Sequence, residues 1–529
     1  MMALGGGWAA SALARSAGRP NILLILSDDM GWSDIGCFGG DAETPVLDGL
    51  AKRGIRFTQF YNSARCMPTR ASLLTGLHPH QAGIGHMAGD WGTPAYSGHL
   101  LDTCVTLGEV LRTAGYHTSQ LGKWHVGNRK KGVMPDLRGF DRSWTREGKV
   151  DYFKHDIYEL DGKPWVCPDP GSFYSTEEMD RQAVGFIDDA RKQDKPFFMY
   201  AAYDAAHWPL HARPEDIEKY RGRFINRGWD KMRAERFERQ RELGVVSRNW
   251  KLQPRDPAVP AWDEVKEKEL WDLKMAVYCA QIDAMDRSIG RIVAHLKKTG
   301  QLENTLVFFL QDNGACPEGI GQKRAEEPGT PESYVAYHMP WANLSNTPFK
   351  LYKHFTGEGG IRTPMIAAWP KGIAKPGRTS SELGHLVDIM ATCVDVSGAM
   401  YPRNFNGKKI TPMEGLSLDP VFKTGTRKGH EVFCWEHEGN RAVRKGKWKL
   451  MSRYEDDVKL YQAWGFPKAG RTVEWELYDM EADPTEIHDL SSSHPEVVAA
   501  LAKEYGAWAE QVGAVPYAEI SAKGKKKKK

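Results

Sequence analysis

Two pairs of oxygen-bearing side chains stand where apolar runs end. Residues 21–27 (NILLILS) lead into Asp28-Asp29, and residues 305–311 (TLVFFLQ) lead into Asp312-Asn313. A third run, 197–203 (FFMYAAY), leads into Asp204 and His207. Carboxylate and amide oxygens are the donors that hard divalent cations such as Ca²⁺ or Mg²⁺ take. An Asp after a strand also caps the next helix, which suffices for Asp28 alone. Two adjacent pairs favour a metal. Cys66 precedes Met67-Pro68-Thr69-Arg70. Pro68 suits the first turn of a helix, so Cys66 falls at a helix N-terminus, where partial positive charge favours an anionic nucleophile or a bound oxyanion. Arg70 lies one turn on. Lys123 and His125, two apart after a short strand-like segment, could share a pocket. Lys353 lies in a Gly-rich stretch (TPFKLYKHFTGEGG).

The elements that must position these residues are short continuous apolar runs alternating with helical patterns. Such runs suit strands buried on both faces of a parallel sheet. A helix is expected over 106–114. Another is expected over 271–298, where Met275, Tyr278, Ile282, Met285, Ile289, Ile292 and Leu296 recur at spacings of three and four before Gly300. Ligands of open α/β sheets bind outside the carboxyl ends of the strands, where the ionisable residues collect. The expected fold is α/β: a large doubly wound, mixed but mostly parallel sheet flanked by helices. After about residue 425 four short strand-like runs and a helix over 495–508 predict a smaller antiparallel sheet. The expected division is a catalytic domain over 21–425, a C-terminal α+β subdomain over 426–515 and a basic tail over 516–529. Residues 213–270, polar and Arg-rich, read as an insertion with a surface helix.

At 529 residues the chain has room for more than one domain, and 41% hydrophobic with 26% charged residues is ordinary for a globular protein. The formal charge of +4 owes six lysines to the tail (Lys523 and Lys525 to Lys529). Less those six, 66 basic side chains face 68 acidic ones. Composition therefore makes no case for nucleic-acid binding. No apolar stretch is long enough to span a membrane. None of the eight cysteines forms a C-x-x-C pair, and no Cys/His cluster has zinc spacing. Residues 1–20 read either as the remnant of an export signal or as a loose N-terminus.

Taken together, CMPTR with ASLLTG, DDMG, GKWH, AAHWP, QDNG and PFKLYKHFTGEGGIRTP occur in an order that resembles the formylglycine-dependent type I sulfatases of the alkaline-phosphatase superfamily. The stretches 347–370 and AAHWPLHARPEDIEKY look closest to bacterial arylsulfatases. The resemblance implies a sulfuric ester hydrolase acting on an aryl or carbohydrate sulfate. Cys66 would be converted to formylglycine by a formylglycine-generating or equivalent maturation enzyme, and its hydrate would be the nucleophile. Asp28, Asp29, Asp312 and Asn313, with position 66, would hold Ca²⁺, Mg²⁺ being the weaker candidate. Arg70 and His125 would position and deprotonate the hydrate. Lys123, His207 and Lys353 would bind sulfate oxygens, with His207 or Lys353 protonating the leaving alcohol. The spacing of Lys353 to Glu358-Gly359-Gly360 matches that of the family's catalytic lysine, so the resemblance implies Lys353 and not Lys350.

Two other functions are compatible with these residues: a phosphodiesterase or phosphonate monoester hydrolase of the same superfamily, and a non-catalytic protein that binds sulfated glycans. Trp91, Trp124, Trp208 and Trp341 lie near the motifs and suit either stacking on a substrate ring or the core. Arg221, Arg223, Arg227, Arg233 and Arg236 suit a solvated helix face or the recruitment of a sulfated polysaccharide. Family analogy places the protein in the periplasm or outside the cell.

Overall fold

The computed structural model describes residues 18–321, 327–455, 471–472 and 474–520. Residues 1–17 and the lysine tail lie outside them. Eleven strands form one sheet: β1 (Asn21–Ser27), β2 (Ile55–Tyr61), β3 (His117–Lys123), β4 (Arg142–Arg146), β5 (Tyr158–Leu160), β6 (Lys163–Pro164), β7 (Phe197–Ala202), β8 (Thr305–Gln311), β9 (Arg362–Ala368), β10 (Arg378–Ser380) and β11 (Gly384–His385). The order is β10-β2-β9-β8-β1-β7-β3-β4-β5-β6, with β11 also on β2. The central run β8-β1-β7-β3-β4 is parallel, and β9 pairs antiparallel with both β2 and β8. The sheet is thus mixed and mostly parallel.

Register explains why the chemistry collects at one edge. Ser27 of β1 stands opposite Gln311 of β8, so Asp28 and Asp312 leave neighbouring strands at the same level. Leu26 stands opposite Ala202 of β7, and this brings Asp204 and His207 to that edge as well. Alternate residues of β1 enter opposite cores. Leu23 and Ile25 pack in the core of the Lys268–Lys298 helix, through Ile282, Met285 and their neighbours. Ile22, Leu24 and Leu26 pack in the core of the Cys66–Thr75, Leu107–Thr113 and Val387–Ser397 helices. Both faces are covered, hence the apolar runs. The Leu107–Thr113 helix starts with a capping box: Glu109 N donates to Thr106 Oγ1 at 3.1 Å, and Thr106 N donates to Glu109 Oε2 at 2.8 Å.

Four antiparallel strands, Val432–His437, Asn440–Lys445, Trp448–Ser452 and Glu476–Asp479, form the smaller sheet. The Pro495–Val512 helix covers it through Leu501 and Tyr505. A fully buried ion cluster ties this sheet to the large one. Lys449 Nζ lies 2.8 Å from Glu358 and 2.7 Å from Glu486, and Glu358 also holds Arg362 of β9 at 3.0 Å.

The Arg-rich segment corrects the expectation of a solvated helix face. Its helices pack inward, Pro214–Tyr220 through Ile217 and Tyr220 and Gly228–Glu242 through Trp229, Met232 and Phe237. Arg236 is 0% exposed, held by Asp34 at 3.0 Å and Asp41 at 2.7 Å, and Arg233 donates to the Gln253 carbonyl at 2.9 Å. Two of the buried positions on this helix are therefore arginines, which read as polar in a hydropathy pattern. Arg221 and Arg223 stay exposed. Among the described residues no helix is long and apolar enough to cross a membrane.

Candidate active site

Cys66 is the first residue of the Cys66–Thr75 helix and is only 2% exposed. It lies on the wall of a cavity of about 460 Å³ that also presents Lys123, His125, His207 and Lys353. Arg70, Asp28, Asp29, Asp312 and Asn313 are buried alongside. All ten side chains singled out from the sequence thus meet at the carboxyl edge of the large sheet. Lys350 turns away, to Tyr478 at 2.6 Å and Glu476 at 3.2 Å.

Charges alternate through the site. Lys123 Nζ bonds Asp28, and Lys353 Nζ lies 2.8 Å from the Asp29 carboxylate. Arg70 Nη2 donates to Asp312 at 2.9 Å, and its Nη1 donates to the Lys123 carbonyl at 3.0 Å. Burial alone would raise the Asp28 carboxyl, but Lys123, His207 and Arg70 hold it well below its ordinary range. Asp312 moves the other way, because burial and the nearby Asp28 charge disfavour a second carboxylate. Burial also pushes the Cys66 thiol up, against Lys123 and Lys353. His125 is kept neutral by burial and by the charges of Lys123 and Arg70.

The donor set fits a hard cation. Asp28 Oδ1 and Asn313 Oδ1 are buried and accept no hydrogen bond, although Asn313 Nδ2 is used, donating to Asp29 at 2.8 Å. Buried acceptors without a partner are costly, and a divalent cation would satisfy both while relieving the crowding of three carboxylates. Asp204, at the end of the third apolar run, is instead bound by Arg146, with Nε at 3.2 Å.

Of the four tryptophans, Trp124 and Trp208 reach the cavity, Trp341 is core, and Trp91 stacks on His86. Three neighbours of the site carry no sequence signal. Tyr200 bonds Arg70 at 3.3 Å, while Arg65 and Glu318 complete one cavity wall. Glu318 stands in an irregular segment, and its partners lie far away in the chain.

Comparison with known proteins agrees with this geometry. The sulfatase family profile matches residues 20–399, and that of the N-sulphoglucosamine sulphohydrolase C-terminal region matches residues 349–511. An uncharacterized sulfatase of Schizosaccharomyces pombe is 33% identical, covering 94% of each chain. An arylsulfatase of Klebsiella aerogenes is 34% identical over 78% of this chain and 94% of its own. Among solved structures, Ps i-CgsB superposes with a TM-score of 0.65 at 25% identity, covering 93% of this chain and 92% of that one. The chain belongs to the sulfatase family of the alkaline-phosphatase superfamily and is a sulfuric ester hydrolase.

Proposed function

We propose that this sulfatase cleaves the sulfate monoester of an aryl or carbohydrate alcohol, with position 66 matured from cysteine to formylglycine. The observation that carries the reading is the seat of Cys66: the buried N-terminus of a helix, in one cavity with Lys123 and Lys353. A matured residue there supplies a hydroxyl nucleophile and a second hydroxyl whose deprotonation releases sulfate. Asp28, Asp29, Asp312 and Asn313 would hold Ca²⁺, which when bound supplies Lewis-acid stabilisation of oxygen charge.

The other residues act as follows. Lys123 and Lys353 bring fixed positive charge to the sulfate oxygens, where charge grows in the transition state. His125, neutral in its buried setting, accepts the proton of the nucleophilic group. His207 donates Nδ1–H to the Trp208 carbonyl, so the doubly protonated ring presents Nε2–H, which passes its proton to the leaving oxygen and leaves the ring neutral. Arg70 holds Asp312 and, through the Lys123 carbonyl, the strand end that carries Lys123.

Relatives support the substrate class. One is an N-acetylgalactosamine-6-sulfatase, 29% identical over 81% of this chain, and Ps i-CgsB has been solved with a neocarrahexaose. The Trp208–Tyr334 pair, edge to face at 5.4 Å, offers a ring-sized apolar wall in the cavity. The test is the mass of the peptide containing residue 66 after expression with a formylglycine-generating system. A protease other than trypsin is needed, since Arg65 and Arg70 flank the site closely. A formylglycine mass with turnover of a sulfate ester supports the reading. Turnover by unmodified Cys66 would overturn it.

A further inference from the structure

Glu318 is a buried carboxylate, 5% exposed, on the cavity wall. It meets four groups from three distant segments. Its Oε2 accepts from Trp208 Nε1 at 2.6 Å. Its Oε1 lies 3.3 Å from His354 Nε2, 3.6 Å from Lys353 Nζ and 4.0 Å from Arg65 Nη2. Each partner is a residue of the proposed machinery or its chain neighbour: Arg65 precedes Cys66, Trp208 follows His207, and His354 follows Lys353. The backbone repeats the tie, since His354 N donates to the Ala64 carbonyl at 2.9 Å and Lys353 N to the Ala315 carbonyl at 3.1 Å.

Behind Glu318 the cluster continues. Glu438, in the turn between two strands of the C-terminal sheet, binds Arg65 at 2.6 Å and His354 at 2.8 Å. His354, His437 and Glu438 offer ligand atoms within 4.8 Å of one another. That spacing suits a cation, but the Arg65 guanidinium already bonds both Glu438 and His354. The cluster is therefore an ion-pair frame and not a metal site.

We propose that Glu318 is a positioning residue that sets Lys353 and the His207-Trp208 pair against the substrate. Lys353 stands between two carboxylates, Asp29 at 2.8 Å and Glu318 at 3.6 Å. With one of them gone, its ammonium is drawn wholly to Asp29, away from the cavity wall. The Trp208 indole loses its one hydrogen-bond acceptor among the described residues, and with it goes the orientation of the carbonyl that fixes the His207 tautomer. Misplacement of a catalytic group by fractions of an ångström is enough to slow chemistry. Both affected residues would act on the sulfate and the leaving oxygen, so the loss should grow as the leaving group becomes poorer.

The inference rests on the roles proposed for Lys353 and His207. It is tested with the matured enzyme carrying Glu318→Gln or Glu318→Ala, on a series of aryl sulfates of rising phenol pKa. Lys353→Ala is run beside them. The expected result is a kcat loss of about 10-fold on the best leaving group and about 100-fold on the poorest, with KM changed less than threefold. Glu318→Gln, which keeps an acceptor for Trp208, should lose less than Glu318→Ala. Trp208→Phe should steepen the same leaving-group dependence and combine non-additively with Glu318→Ala. If both Glu318 variants keep the parent slope while Lys353→Ala loses activity, positioning by Glu318 is overturned and the reading of the site stands. If Lys353→Ala itself turns over normally, the reading of the site fails first. A uniform loss that merely tracks the folded fraction also overturns the proposal.

Discussion

Arg70 joins the helix that carries the proposed nucleophile, Cys66, to the proposed cation site: its guanidinium lies 2.9 Å from Asp312 and 3.6 Å from Asp28, and all three side chains are fully buried. Removing Asp312 therefore takes away a proposed ligand and half of the Arg70 neutralisation. Asp312→Ala is expected to abolish sulfate ester hydrolysis, by about 10³-fold or more. It should also lower stability, since Arg70 then keeps only the more distant Asp28 carboxylate as its partner, while the protein stays folded at 25 °C. Steady-state kinetics and a denaturant melt check both.

Cys66→Ala separates chemistry from folding. The side chain is small and, among the described residues, takes part in no ion pair. Activity should vanish while the melting temperature shifts by no more than a few degrees. Near-normal turnover in this variant would sink the proposed nucleophile.

Calcium should stabilise the protein by mass action. At a hundredfold excess over its dissociation constant the expected gain is about 2.7 kcal/mol, read as a rise in melting temperature that EGTA reverses. Asn313→Ala removes one of the two partnerless oxygens and should reduce the calcium-dependent rise sharply. An unchanged rise would place the ion elsewhere.

His207→Ala should cost most on unactivated esters. General acid catalysis contributes about 10²–10⁴-fold where the leaving group needs a proton, and little for a good phenolate. Comparing an alkyl with a nitrophenyl sulfate exposes the difference. Equal losses on both would remove the assigned proton role.

Acid should loosen the joint between the two sheets. Burial works against the Glu358 carboxylate, but Lys449, Arg362 and Arg444 hold its folded pKa down to about 2. Because the folded value lies below the unfolded one, the stabilisation is complete above the unfolded pKa of about 4.3 and fades as pH falls toward 2. Glu358→Gln should therefore lower the melting temperature clearly at pH 7 and much less at pH 3. Thermal melts of both proteins at the two pH values decide it.

Legibility in the sequence followed physics. Asp28, Asp29, Asp312 and Asn313 could be read because continuous apolar runs mark doubly covered strands, and strand ends mark ligand edges. Cys66 could be read from Pro68 and the ordered motifs. The long Lys268–Lys298 helix shows its period of three and four because apolar side chains face its core. Arg236 could not, because it buries by pairing with Asp34 and Asp41, residues 202 and 195 positions away that no local pattern connects to it. Glu318 and Glu438 escaped for the same reason: their meaning lies entirely in partners that only the folded chain assembles.

The turn that carries Glu438 has a consequence for modularity. The C-terminal sheet is built from residues after 431, yet its Glu438 grips Arg65, the residue next to Cys66. That sheet is thus not an appendage that can be trimmed or exchanged while the proposed reaction centre stays unchanged. A chimera that took this sheet from a relative with a different turn would inherit a different cavity wall.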